Sequence, residues 1–426
     1  MPSQPHSTKI GKCFSRIKQG CRTVYWLGAY FGKRVRAWLP HPPRYLIIPG
    51  DIDNPMGSRG DQAMFTVILS HIQGAAKPAI VEIAVRNPAK ISPILPQGVD
   101  AVSFGAISTE GWKRTAALEG YDALFIQGSD VMDGFYDEAF AFQLWDIARA
   151  AHSQMDDCSI LGISLNAGMA ERVRQAILSA PGALNVGVRD PISLERLRSI
   201  RPGFGKLVAD IAFLLPARPL SLCTPPVKHS LAWCQSRQNA GNIVVGVNIH
   251  SMLFWGCDSG RTEQLVATFA DAMRTAMAEY KISFLLLPHD FRETIADGLV
   301  LERMFRLIQP DFPEHVHLHA DASHANEFKT LVGGLDALVT ARMHLAIAAL
   351  GQSVPVAAVP YQDKFEGLFQ LFDLPGSLML APGQACHTEN VLRLFKTLIK
   401  ERQDLSLKIG ESLPGIIALA EDNFRP

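Results

Sequence analysis

The chain has 426 residues, of which 48% are hydrophobic, 8% aromatic and 19% charged; that length calls for two to three domains at roughly 150 residues each, and that composition excludes long disordered or fibrous stretches. Forty-one basic residues balance 41 acidic ones, so no global field selects nucleic acid as a partner. Seven cysteines, at positions 13, 21, 158, 223, 234, 257 and 386, include no CxxC pair and no histidine at zinc-finger spacing, which implies a reducing, cytoplasmic compartment and no metal.

The charge balance hides an asymmetry. Residues 1–40 carry eight lysines and arginines and no acid, leaving 33 basic against 41 acidic residues for the remainder. Apolar positions at Ile10, Phe14, Ile17, Cys21 and Tyr25 alternate with basic ones without a proline up to Leu39, the pattern of an amphipathic helix. Two readings stay open: a helix lying through residues 10–39 on the inner, anionic face of a membrane, or an extension that packs on its own domain. No run of about 20 apolar residues occurs, so no membrane span is expected.

After the prolines at 40–43, short apolar runs alternate with helical stretches, predicting an α/β protein with parallel sheets. Strands are expected at 45–49, 79–85, 101–104, 123–127, 159–164, 185–189 and 206–209, with helices between them, among others at 61–73 and 139–151. A stretch rich in Pro and Ser with little periodicity, from 217 to 241, reads as an interdomain loop. A second series follows, with strands at 243–248, 283–287, 316–318, 337–340 and 354–359 and helices near 262–280, 292–308, 325–332, 342–350, 364–372 and 388–402. The expected division is an N-terminal extension (1–43), a first Rossmann-like domain (44–216), a linker (217–241), a second Rossmann-like domain (242–402) and a C-terminal tail (403–426). Doubly wound sheets bind ligands in the crevice beyond the carboxyl ends of their strands, so the strand-to-helix junctions are where chemistry is sought.

Four junctions stand out. In the first, a strand runs through Gly50 and Asp51 to Gly57-Ser58-Arg59-Gly60-Asp61 and directly into an apolar helix; free amides at such a start suit an anion, and a structural turn has the same sequence. The second is Gln127-Gly128-Ser129-Asp130, a buried strand ending in small and acidic residues. In the third, Val188-Arg189-Asp190-Pro191, Asp190 reads as helix cap and Pro191 as first helical residue, which sets Arg189 at the strand mouth. In the fourth, Thr340-Ala341-Arg342-Met343-His344 is followed by a strand and by Lys364. Thr340 reads as the cap there, Arg342 offers a fork for carboxylate or phosphate, and with His344 and Lys364 it makes three cationic groups gathered with no acid but the Asp363 cap. His289 and Asp290, after the 283–287 strand, form a further polar pair.

These segments, with Gly187-Val188-Arg189-Asp190 and Tyr361-Gln362-Asp363-Lys364, resemble the polysaccharide pyruvyl transferase family over about residues 44–380. Two departures lie in the first domain: Ser58 stands where the family's turn begins with asparagine, and Gly128-Ser129-Asp130 replaces a glycine triplet. The resemblance implies two facing domains similar to GT-B glycosyltransferases and transfer of the pyruvyl unit of phosphoenolpyruvate to a sugar of a polysaccharide or its lipid-linked precursor, forming a ketal without a cofactor. For such a donor, with a phosphate and a carboxylate close together, Arg342, Lys364, Arg189 and His344 are the expected binding residues. His344 is the candidate proton donor or phosphate partner, because imidazoles exchange protons near neutral pH, and Asp61 is the candidate base for the acceptor hydroxyl. Gly60, Asp61, Ser129, Asp130 and His289 are the acceptor-side candidates. Competing readings are a nucleotide-sugar glycosyltransferase, against which stands the lack of a well-placed acidic ribose partner after the cationic cluster, Glu366 being the nearest, and a non-catalytic glycan-binding relative.

Overall fold

A computed structural model describes residues 41–75, 78–155, 157–254, 259–293, 296–360 and 364–425. The helix and membrane contact expected for the basic head, and the Asp363 cap, lie outside the described residues.

Among the described residues, twelve strands form two sheets. The first contains β1 (Arg44–Ile48), β2 (Ile80–Val85), β3 (Val99–Ser103), β4 (Ala123–Ser129), β5 (Asp157–Ile163), β6 (Asn185–Val188) and β7 (Lys206–Leu207), in the order β3-β2-β1-β4-β5-β6-β7. The second contains β8 (Ile243–Asn248), β9 (Ile282–Leu286), β10 (Val316–Leu318), β11 (Ala337–Thr340) and β12 (Val356–Ala358), in the order β10-β9-β8-β11-β12. Every pairing is parallel, and both orders reverse direction beside their first strand, as in doubly wound sheets. The central strands are apolar on both faces because helices cover both; all seven residues of β4 are buried.

Helices among the described residues include α1 (Arg59–Gln73), α2 (Glu138–His152), α3 (Pro191–Ile200), α4 (Pro225–Asn239), α5 (Ser259–Glu279), α6 (Gly298–Ile308), α7 (Ala325–Val332), α8 (Met343–Leu350), α9 (Lys364–Leu371) and α10 (Thr388–Glu421). Asp190 caps α3 as expected, accepting a hydrogen bond from the Ser193 amide at 2.7 Å, with Pro191 in the first turn. Three expectations are corrected. Residues 225–239, read as part of a loop, form α4, since its two prolines sit in the first turn, where the missing N–H costs nothing. Helix α6 starts at Gly298 rather than 292, and the buried Asp297 carboxylate just before it is committed to the His289 and Asp290 amides, from which it accepts. The helix expected to end at 402 runs on to 421, so the expected tail continues the second domain's last helix.

The two sheets share one core. A single apolar cluster extends from Ile47, Met64 and Phe65 through Ile211 and Phe213 to Val245, Phe284 and Phe395; a second covers the opposite face of the first sheet around Trp145 and Leu144. Helix α10 begins against α5, then crosses back to the first domain. There Phe424 stacks on His71 at 4.0 Å, and the buried Asn423 amide donates to Ala209 O at 2.8 Å and Ala420 O at 2.9 Å. Among the described residues no helix is long and apolar enough to cross a membrane. Replacing Asn423 with alanine leaves a buried carbonyl unpaired and is expected to cost about 1–3 kcal/mol, read as a lower midpoint in urea unfolding.

Candidate active site

The strand ends β1, β4 and β6 of the first sheet face β8, β9 and β11 of the second across a cleft of about 340 Å³, within the range of small-molecule sites. Arg189, Arg292, Arg342, His344 and Lys364 line it together with Asp51, Asp61, Ser129, Asp130 and His289. Tertiary packing therefore brings eight of the nine candidates named from the sequence into one cavity wall. The ninth, Gly60, stands directly behind it.

On the second-domain side, β11 leads into α8. Arg342 occupies the cap position, and Thr340, expected there, instead accepts the Arg342 amide hydrogen through Oγ1 at 3.0 Å. His344 falls in the first turn. The expectation that these cations stand apart from acids is overturned, since every one of them faces a carboxylate. Arg342 donates to Asp297 Oδ1 through Nη2 at 2.6 Å and Nε at 3.0 Å, and its Nη1 lies 3.2 Å from Asp290 Oδ2. Lys364 pairs with Asp130 of the first domain. His344 Nε2 is 3.4 Å from Asp210 Oδ2, the oxygen that also takes Arg189 Nη1 at 2.7 Å. Charges held out of water demand such partners, and in each case the partner is distant in the chain.

Arg189 requires a second correction. The residue is 2% exposed and its guanidinium is bound by Asp210 and by Ser164 Oγ, each at 2.7 Å, so it underlies the cleft floor rather than pointing freely into it. Gly60 is explained by close packing rather than by anion binding: a Cβ there would stand 2.2 Å from His344 Nδ1, and the imidazole of one domain rests on the bare backbone of the other. His289 is buried, edge-on to Phe328 at 5.7 Å. Burial, then the charges of His344, Arg342 and Arg59, push it well below the ordinary histidine range, so it is a neutral wall residue.

Asp61 sits in the first turn of α1, whose cap Ser58 accepts from the Gly60 amide at 3.2 Å. Gln127, wholly buried on β4, donates to Asp61 Oδ1 at 3.1 Å. Burial pushes the Asp61 carboxyl up to about 6, against the opposing charges of Arg292 and His344. Asp130 has the opposite balance: burial alone would raise it, but Lys364 and Arg189 outweigh that and hold it well below the usual carboxylate range. Two cleft carboxylates thus differ in proton affinity, the arrangement that separates acid–base roles.

Sequence reading missed Arg292, whose position was assigned to a helix. Its Nη1 reaches Asp51 Oδ2 of the first domain at 3.0 Å, and its Nε contacts Asp290 Oδ1 at 3.0 Å. The backbone reinforces this crossing, as the Arg59 amide donates to His289 O and the Phe291 amide to Gly57 O, pairing Ser58 with Asp290 as an antiparallel bridge. The available signal was its place just beyond β9, the same kind of strand mouth that flagged Arg342. Among the described residues no group of His, Cys, Asp and Glu is arranged to hold a metal ion.

The family model for polysaccharide pyruvyl transferase matches residues 33–363. No curated protein matches the sequence. In fold the chain is similar to a Listeria monocytogenes protein assigned as a UDP-N-acetylglucosamine 2-epimerase (TM-score 0.56, 12% identity, 90% of this chain and 94% of that one). It is similar also to the Neisseria meningitidis UDP-GlcNAc 2-epimerase bound to UDP-GlcNAc (0.55, 12%, 89% and 97%) and to a glycosyltransferase of Rickettsia africae (0.52, 10%, 91% and 100%). The architecture is thus GT-B-like, two Rossmann-like domains about a central cleft. With the family model spanning most of the sequence, this chain belongs to the polysaccharide pyruvyl transferase family.

Proposed function

We propose that the protein transfers the pyruvyl unit of phosphoenolpyruvate to two hydroxyls of a saccharide, free or lipid-linked, releasing phosphate and leaving a cyclic ketal. The observation that carries this reading is the convergence of Arg292, Arg342, Lys364 and His344 with the start of α8 at one end of a cleft whose other wall holds Asp61. Phosphoenolpyruvate carries a dianionic phosphate and a carboxylate on the same vinyl carbon. Arginine forks and helix amides are matched to both.

In the proposed sequence, His344 gives a proton to the methylene carbon as the C=C bond opens, and positive charge develops at the carbon bearing phosphate. The first sugar hydroxyl adds there and yields its proton to Asp61. The C–O bond to phosphate then breaks, with the electron pair leaving on phosphate, and the second hydroxyl closes the ring while its proton passes to the departing phosphate. The proton held on Asp61 returns to His344 through solvent, so one donor and one diol give one ketal and one phosphate. Arg189 acts from beneath, holding Asp210 against His344.

The alternative is a nucleotide-sugar donor, supported by the UDP-GlcNAc bound in the Neisseria meningitidis relative of the same fold. Calorimetry separates the two: phosphoenolpyruvate is expected to bind the purified chain and UDP-GlcNAc is not, and the reverse result would reject pyruvyl transfer.

Arg342→Lys keeps the charge but loses the fork, and is expected to weaken phosphoenolpyruvate binding at least about tenfold; unchanged affinity would remove Arg342 from the donor site. Asp61 gives a pH test. Its folded pKa of about 6 lies above the ordinary value, so ionising it opposes folding: the penalty is absent below about pH 4, grows up to about pH 6 and is full above it. Asp61→Asn should therefore stabilise the protein by about 2–3 kcal/mol at pH 8 relative to its effect at pH 4, while phosphate release from phosphoenolpyruvate falls at least about a hundredfold. Denaturant melts at the two pH values check the first outcome and a phosphate assay the second.

A further inference from the structure

Lys364 and Asp130 belong to different domains and meet in a direct ion pair. Lys364 opens α9 with its side chain 8% exposed, and Asp130 follows β4 with its side chain 18% exposed. The oxygen that takes the ammonium, Oδ2, also accepts the Tyr136 hydroxyl at 3.3 Å. Ser129, just before it, has φ of 46°, a left-handed conformation that a serine adopts only where surrounding structure enforces it. The β4 strand end is thereby bent so that Asp130 reaches the opposite domain. An anion that binds Lys364 has to take it from this carboxylate.

On the reading that phosphoenolpyruvate is the donor, we propose that Asp130 is a donor-gated ligand for the acceptor saccharide: closed on Lys364 while the donor site is empty, and released by the donor's phosphate to accept hydrogen bonds from sugar hydroxyls. Once the phosphate occupies Lys364, the two anions repel, and the carboxylate keeps only partners on its own domain, chief among them Tyr136. Its new surroundings suit a polyol. The Tyr136 ring lines the cleft, and Phe135, 53% exposed, meets it edge-on at 5.3 Å, so an aromatic corner stands beside a freed carboxylate. Such a corner accepts the apolar face of a pyranose while the carboxylate takes its hydroxyls. The consequence is order: the acceptor's ligand exists only after the donor has bound.

The test is equilibrium binding of phosphoenolpyruvate to the full chain and to two isosteric variants. Asp130→Asn removes the competitor for Lys364 and is expected to bind phosphoenolpyruvate about tenfold more tightly. Asp137→Asn removes the same charge from the rim, keeps the capping of α2 through the Phe140 amide, and should leave affinity within about twofold. Hydrogen exchange on the unmodified protein gives a second readout: saturating phosphoenolpyruvate should increase deuterium uptake across residues 128–137. Equal or weaker binding by Asp130→Asn, or unchanged uptake in that loop while phosphoenolpyruvate binds the wild type, overturns the gate alone. A wild type that binds no phosphoenolpyruvate removes the donor assignment and the gate with it.

Discussion

Charge neutralisation in the space between the sheets governs this molecule. Arg189, Arg342, Lys364 and His344 are held largely out of water, where an unpaired charge costs several kcal/mol, and the carboxylates that answer them come from other elements. Asp297 and Asp290 follow β9, Asp210 follows β7, and Asp130 follows β4 of the opposite domain. Pairing therefore fixes more than the cations. It sets His289 and Asp290 beside the Asp297 that precedes α6, and it ties the two domains at Lys364 and again at Arg292.

The same network sets what the cleft can do. A site whose cations are already matched binds an anion by exchange, so donor entry rearranges carboxylates as well as filling space. Asp61 stands outside the matched pairs; its nearest hydrogen-bond partner is the neutral amide of Gln127, and burial raises its proton affinity where Asp130's is lowered. Gly60 lets His344 rest within contact of α1's first turn. Here a missing side chain in one domain positions a functional one in the other.

Much of the architecture was legible locally. β4 and β8 read as strands because buried parallel strands are continuous apolar runs, and both sit where those runs fall. Asp190-Pro191 announced the start of α3 through capping chemistry alone. α4 was illegible for a local reason: two prolines in a first turn look like a loop when nothing shows the packing of Val227 and Cys234 that follows. The continuation of α10 past residue 402 was illegible for a tertiary reason, since its last turns are held by Asn423 and Phe424 docking on the first domain.

For the site, the sequence by itself determined which side chains stand at strand mouths, because strand ends and helix caps are written in adjacent residues. It placed Arg342, His344, Lys364, Arg189, Asp61 and Asp130 at such ends, and its motifs identified the family. Only tertiary structure decided their partners. Lys364 and Asp130 are separated by 234 residues and Arg342 and Asp297 by 45, distances over which charge complementarity leaves no periodic or local trace. Which cation is paired, which carboxyl is pushed up by burial and which backbone gives way to an imidazole are properties of the folded interior, where water is excluded and every charge must find its counterpart in space.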